Sequence, residues 1–365
     1  MEGDQTDTRL ASTLRFTPHR AEPVVLGEKE IAASGCGLSV REVHDVLDQA
    51  WHDIRNGRAL GHKSVLSLPE EAFWQKAGYQ SRPKEFAGER LGWKLSCLYG
   101  ANPEFAGVKV IGANAFNRHL GLRRSRSTYI LMEKFSMQPI AIIDATALSA
   151  ARTGAYAAQV LRLCPIEKDQ ITVFLFGAGP VAKAILASLA DRSARQIGRV
   201  YLKARRLESA KALQASLSMT LPFDVVAVED NGFLSEADFV ITATNSDRPV
   251  FSDHELRRDA SLLHLGGDEV PAETLRRILR QGQVGCDDLA TVSRRNSQSL
   301  ALQFSRAGSS LEALGPHLGI LELSKTGDWR VQPGAPLSVT CVGLPVLDLY
   351  VVAALFQKYR ANREI

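Results

Sequence analysis

The sequence predicts an α/β protein in two parts, a doubly wound parallel-sheet domain inserted into a mixed α/β domain built from both chain ends. Three observations carry that prediction. From Asp169 onward, apolar strands alternate regularly with helical segments, the pattern of a parallel sheet with crossover helices. The first of these strands runs directly into glycines and opens a helix, in "VFLFGAGPVA" (Val173 to Ala182). Upstream, the β-rich runs are short and cut by Gly, Asn and Pro, as in a mixed sheet. A length of 365 residues exceeds what one small core needs and accommodates both parts.

Taken in order, residues 1–22 show no periodicity and are expected to form a mobile arm. "PVVLGEKEIAASG", from Pro23, reads as a strand and turn. In "LSVREVHDVLDQAWHDIRNGRA" apolar residues recur at helical spacing behind a cap at Ser39. "WKLSCLYG", "AGVKVIGANAF", "STYILMEKF" and "PIAIIDATAL" are expected strands, followed by one strong helix, "LSAARTGAYAAQVLRL". The regular half then gives strand "ITVFLFGAG", helix "PVAKAILASLADRSA", strand "RVYLKARR", helix "LESAKALQASLSM", and strands "FDVVAV" and "ADFVITATN". It continues through "SLLHLGG" and "GQVGCDDLA". "APLSVTCVGLPVLDLYVVAALFQKYR" reads as a last strand feeding a terminal helix that returns to the first domain. The expected domains are 23–150 with 330–365, and 151–329 for the dinucleotide.

Composition narrows the function. At 45% hydrophobic and 23% charged the chain is ordinary globular material, without an apolar run long enough to cross a bilayer. "MEGDQTDTRLASTLRF" carries acids and lacks a basic start before an apolar core, so no secretory signal is visible and a cytoplasmic location is expected. The five cysteines, Cys36, Cys97, Cys164, Cys286 and Cys341, have no metal-ligand spacing and read as buried thiols. A net charge of +4, with basic density only in "GLRRSR" and "KARR", argues against nucleic acid and for small anions.

The most specific local motif is the glycine turn, which matches G-x-G-x-x-A. Gly177 permits the tight turn, Gly179 lets the backbone approach a pyrophosphate, and Ala182 lets helix and strand pack closely. With Ala178, Pro180 and Val181 this turn is the expected dinucleotide cradle, and the helix N-terminus supplies the positive end. A Rossmann domain is the reading. About twenty residues on, an NAD-binding strand carries an acid for the ribose hydroxyls. Here Ala204 stands there, followed by Arg205 and Arg206. A carboxylate would repel a 2′-phosphate, whereas a small residue and two guanidiniums admit and bind one. NADP(H) is therefore favoured over NAD(H).

"GVKVIGANAFNRHLGL", "AIIDATALSAARTGAYAA", "VFLFGAGPVA", "VITATNS", "LHLGGDEVPAETL" and "CVGLPVLDL", in this order and spacing, resemble the ornithine cyclodeaminase and mu-crystallin family. "GLRRS" and "VGLPVLDL" look most like its branch that makes 2,3-diaminopropionate in siderophore pathways. The similarity covers roughly residues 25 to 360. It implies a substrate and dimerisation domain from both chain ends, with the Rossmann domain between them.

The resemblance also implies roles. Lys109 and Arg152 match the lysine and arginine that hold the substrate carboxylate, and Lys109 is further assigned to catalysis. An ammonium in the apolar strand "AGVKVIG" needs an anion or a pocket in any case. Arg124 matches an arginine of the diaminopropionate branch, which implies a second substrate carboxylate, with Arg123 and Arg126 as neighbouring candidates. Asp268 matches the proposed acid/base. Two glycines before it, at the carboxyl end of a Rossmann strand, place it at the ligand crevice, where burial or a like charge such as Glu269 could raise its pKa. Thr244, Asn245 and Ser246 resemble the segment lining the nicotinamide ribose, and Thr153 is grouped with the cofactor contacts. Asp348 is expected to cap the last helix.

Such a site moves a hydride between a nicotinamide and the carbon of a C–N bond while Asp268 handles the proton at nitrogen. An NADP(H)-dependent reductase of ketimines or imino acids, or an amino acid dehydrogenase, is the main expectation. Redox-neutral cyclodeamination, oxidative cleavage of an N-linked amino-acid conjugate, and non-catalytic small-molecule binding of the mu-crystallin type are the alternatives. A homodimer is expected, with Val351 and Leu355 of the terminal helix facing the partner. No metal site is expected.

Overall fold

The computed structural model describes residues 22–86, 91–192 and 196–363. The expected N-terminal arm lies outside these residues, Glu22 apart. The first domain begins with β1 (Val24–Leu26) and helices α1 (Glu28–Ser34) and α2 (Val40–Arg55). Then come β2 (Leu60–Ser67), α3 (Glu70–Lys76), β3 (Lys94–Ala101), β4 (Phe105–Ala113), β5 (Ser125–Glu133) and β6 (Pro139–Asp144). α1 replaces an expected turn. Acidic residues fill its first turn, and Gly35 ends it in the left-handed conformation at φ 65°. α2 starts as expected, in a reciprocal capping box between Ser39 and Glu42. β2 was not legible, because "LGHKSVLS" has polar residues on both strand faces.

These strands form one mixed sheet in the order β1-β6-β5-β4-β3-β2, parallel only at β1 and β6. Its inner face is covered by helices. Its outer face carries Val25, Leu60, Leu66, Leu95, Tyr99 and Ile142 in the open.

The expected single helix after β6 is two segments, α4 (Thr146–Gly154) and α5 (Tyr156–Leu163), meeting at Ala155. The regular half follows: β7 (Gln170–Phe176), α6 (Pro180–Arg192), β8 (Gln196–Lys203), α7 (Leu207–Leu217), β9 (Asp224–Val228), β10 (Phe239–Thr242) and β11 (Ser261–His264). Beyond lie α8 (Ala272–Gln281), β12 (Gln283–Cys286), α9 (Leu289–Arg295), α10 (Ser299–Ser305), α11 (Leu311–Leu314), β13 (Leu321–Glu322), β14 (Leu337–Thr340) and α12 (Pro345–Ala361). The second sheet is parallel, in the order β13-β12-β14-β11-β10-β7-β8-β9. Strand order reverses between β7 and β10, which makes the crevice above their carboxyl ends the ligand position of a doubly wound fold.

Three expectations need correction. β14 sits between β11 and β12 with all four residues buried, so the chain returns to the first domain after Thr340 rather than at 330. The boundary at 150 falls inside α4. α12 is not a dimer surface: Val351 and Leu355 are 0% and 1% exposed within their own chain. This helix packs on the first sheet, α2 and α4, so it is apolar all round. The cysteines are free thiols, four of them buried and Cys97 half-buried.

Candidate active site

A cavity of about 640 Å³ separates the inner face of the first sheet from the carboxyl ends of the second. Lys63, Val65 and Lys94 line it from one side, and Thr244, Asn245, Gly266 and Gly267 from the loops after β10 and β11 on the other. Arg124, Arg294 and Arg295 add to the wall, which among the described residues holds five lysines and arginines against one carboxylate, Glu70. Such a wall selects anions.

Strand register places the chemistry. Lys63, Leu98, Lys109 and Tyr129 are successive cross-strand neighbours, so both lysines point to the helix-covered face. Lys109 is completely buried, with Nζ 2.5 Å from Asp348 Oδ1 and donating to Ser149 Oγ at 3.0 Å. Arg152 donates through Nε to the same Asp348 oxygen at 2.9 Å. Burial brings the Lys109 ammonium down to about 8, with Asp348 opposing and Arg152 assisting the shift. For Asp348, burial raises the carboxyl, but Arg152 and Lys109 more than offset this and hold it below its usual value. Lys63 is pushed well below the ordinary lysine value by burial and then by Arg295, Arg152, Lys109 and Lys94.

Asp348 therefore does not cap its helix. The N-cap is Leu344, without a side-chain hydrogen bond, and the aspartate pairs with two cations instead. A buried charge needs such partners. Gly343 just before it has φ 81°, and a Cβ there would lie 2.0 Å from Arg152 Nη1, so only glycine fits against the guanidinium.

Of the three candidate arginines, Arg124 lines the cavity and bonds Asn245 Oδ1 across the domain interface. Arg123 pairs with Glu28 at 2.6 Å, and Arg126 lies 3.7 Å from Asp144. Asp268 is buried beside the cavity-lining Gly267, with Arg306 Nη2 at 2.5 Å, and is not itself among the lining residues. It does not cap α8, whose N-cap is Pro271. Glu269 is fully buried: burial raises its pKa, while it accepts from the backbone N–H of Thr244 at 2.7 Å and from the Thr244 hydroxyl. That carboxyl fastens the Thr244–Ser246 segment to the loop after β11.

The dinucleotide cradle has the required geometry. Gly177 has φ 120°, and a Cβ on it would meet the Ala243 carbonyl at 2.5 Å. A Cβ on Gly179 would meet nothing within 4 Å, which leaves the approach to the amides open at the start of α6, as a pyrophosphate needs. Ala178 and Val181 are half-buried, Pro180 is exposed and Ala182 is fully buried. Ala204 is half-buried at the end of β8, with Arg205 and Arg206 exposed beyond it. Thr153 is half-buried, and its hydroxyl donates to the Ser149 carbonyl within its own helix at 2.7 Å.

The sequence profile described as the "Ornithine cyclodeaminase/mu-crystallin family" matches residues 74–308, well over half of the chain. The chain belongs to that family. One curated relative is an uncharacterized cyclodeaminase of Dictyostelium discoideum, 26% identical over 235 residues, 60% of this chain and 62% of that protein. Another is the NAD(P)H-dependent anabolic L-arginine dehydrogenase DauB of Pseudomonas aeruginosa, 29% identical over 64% of this chain and 72% of the relative. A Delta(1)-pyrroline-2-carboxylate reductase of Bacillus thuringiensis is 24% identical over 70% of this chain and 78% of its own. Among solved structures, the Thermococcus litoralis Delta(1)-pyrroline-2-carboxylate reductase with NADH and L-proline superposes with a TM-score of 0.76, over 93% of this chain and 98% of that one, at 18% identity. An archaeal alanine dehydrogenase dimer with bound NAD gives 0.72 over 94% and 98%, also at 18% identity.

Within this ornithine cyclodeaminase/mu-crystallin member, sequence reasoning missed Lys63, Lys94, Arg295 and the role of Asp348. Lys63 and Lys94 depend on the register of β2 against β3, which no local pattern reveals. Asp348 did leave a signal: one acid in the otherwise apolar "PVLDLYVVAALF" implies a buried partner.

Proposed function

We propose that this protein is an NADP(H)-dependent reductase acting on the C=N bond of an anionic imino acid. One observation carries the reading: a cavity with a strongly cationic wall opens directly at the loops that end β10 and β11, beside the glycine turn. Two relatives whose names state NAD(P)H-dependent arginine dehydrogenase and pyrroline-2-carboxylate reductase support it.

A bound reduced nicotinamide supplies the hydride. The chain's own residues do the rest. Lys63, Lys109 and Arg152 hold the substrate carboxylate, with Asp348 keeping the last two in place. Thr244, Asn245 and Ser246, fastened by Glu269, position the cofactor's ribose. Asp268 delivers the proton to nitrogen once its exposed partner Arg306 swings aside. Arg205 and Arg206 bind the 2′-phosphate in place of the missing acid. The surplus of cations at Lys94, Arg124 and Arg295 favours a substrate with a second carboxylate. A second copy of the chain covers the apolar outer face of the first sheet.

The test is NADPH consumption with cyclic ketimines and with keto acids plus amines. Turnover that depends on Asp268 and favours NADPH over NADH by about tenfold or more supports the reading. Cofactor binding with no turnover on any imine, or ammonia release without net NADPH loss, overturns it.

A further inference from the structure

Asp287, between the end of β12 and the start of α9, is a carboxylate with 0% exposure that the reaction above does not use. Its Oδ2 accepts three hydrogen bonds: from the backbone N–H of Val342 at 2.9 Å, from that of Gly343 at 2.7 Å and from the Tyr156 hydroxyl at 3.1 Å. Oδ1 accepts from the Asp288 N–H at 3.1 Å. Burial pushes the carboxyl up to about 6 while Gly343, Tyr156 and Val342 pull it down, so at neutral pH it is an anion.

Any buried carboxylate needs donors of this kind. What these donors touch gives Asp287 its meaning. Gly343 packs directly against Arg152, so closely that a Cβ on it would lie 2.0 Å from Nη1. The carbonyl of Val342 accepts from Arg295 Nη1 at 3.3 Å, and Tyr156 stands four residues beyond Arg152, across the junction of α4 and α5. Arg152 and Arg295 therefore come from separate elements, α4 and α9, and meet the same two residues of backbone. Fixing that backbone fixes the two guanidiniums relative to each other, and a guanidinium binds a carboxylate well only when it is held in place. The charge of Asp287 acts in the same sense: burial lowers the Arg152 pKa, and a set of neighbours led by Asp348 and including Asp287 raises it above the ordinary value.

We propose that Asp287 is a positioning residue of the anion site, holding the Val342–Gly343 backbone so that Arg152 and Arg295 are set for the substrate's carboxylates. Asp287 does not line the cavity, and so acts without touching the substrate. The inference rests on the reading above that these two arginines face the substrate.

The experiment compares wild type with Asp287→Asn and Tyr156→Phe, using NADPH and an imino acid that wild type reduces. Asp287→Asn keeps the shape but gives up the charge on three hydrogen bonds, and is expected to raise KM for the imino acid about tenfold while kcat stays within about twofold. NADPH affinity, followed by the fluorescence of the reduced nicotinamide, should also stay within about twofold, because neither arginine is among the proposed cofactor contacts. Tyr156→Phe removes one donor of the three and should raise KM about threefold with the same split. It decides the matter if circular dichroism shows that Asp287→Asn does not fold. An unchanged KM in the folded variant, or a loss shared by kcat or by NADPH affinity, overturns the proposal, while wild-type turnover leaves the reductase reading standing. Wild type that reduces no imino acid overturns both.

Discussion

Replacing Asp348 by Asn removes the single carboxylate shared by Lys109 and Arg152 while keeping the size of the side chain. In the native protein that oxygen lies 2.5 Å from the ammonium and 2.9 Å from the guanidinium, with both cations buried. Breaking one partner out of a buried ion pair costs about 3–5 kcal/mol. Lys109 can relieve part of this by losing its proton. Its value is about 8 with Asp348 present and falls further without it. The unfolded chain titrates this lysine near 10.5, so between the lowered value and 10.5 the folded variant binds fewer protons than the unfolded one, and its stability rises with pH. Wild type gains in the same way only above about 8. The penalty of Asp348→Asn is therefore larger near pH 6 than near pH 9, where only the Arg152 share remains. Urea unfolding at the two pH values measures it. Adding Lys109→Met to the variant should restore part of the loss, because an uncompensated charge is replaced by an apolar chain of similar length. A penalty that is equal at both pH values, with no recovery from the second substitution, would refute the electrostatic account of this triad.

The substrate's KM should rise as pH is taken through about 8, since Lys109 loses the charge that attracts the carboxylate, and Lys109→Met should flatten that limb of the profile. A KM that is independent of pH from neutrality upward would remove Lys109 from substrate binding. Leu95→Asp, on the open face of the first sheet, should convert a dimer into a folded monomer by light scattering and circular dichroism. Val351→Asp should instead destabilise the fold itself by several kcal/mol, because that side chain is 0% exposed in its own chain. Lys94→Met should raise KM about tenfold or more for a dicarboxylic imine and change it little for a monocarboxylic one; equal effects on both would argue against a second carboxylate site.

The Rossmann half was legible because its information is local. A strand, two glycines, a helix and the missing acid at Ala204 all lie between Gln170 and Ala204, and the parallel alternation follows from hydrophobic pattern alone. The cavity's cationic wall was only half legible. Lys109 and Arg152 stood out through resemblance, but Lys63 and Lys94 reach the cavity only because β2 and β3 pair in one register, with Lys63 opposite Leu98 and Ser67 opposite Lys94. Asp348 was misread for a related reason. Near a helix start an acid usually caps, and only tertiary packing against β4 and α4 turns it into a counterion. The terminal helix shows the same limit: excess apolar surface can face a partner or the chain's own core, and burial on every side decided for the core.

The most direct test of the central claim is the fate of the hydride. With NADPH carrying deuterium at the transferable C4 position and an imino-acid substrate, the predicted result is one deuterium on the α-carbon of the amino-acid product and stoichiometric NADP+. Product that forms without deuterium, or deuterium that stays in the cofactor while ammonia is released, would contradict it.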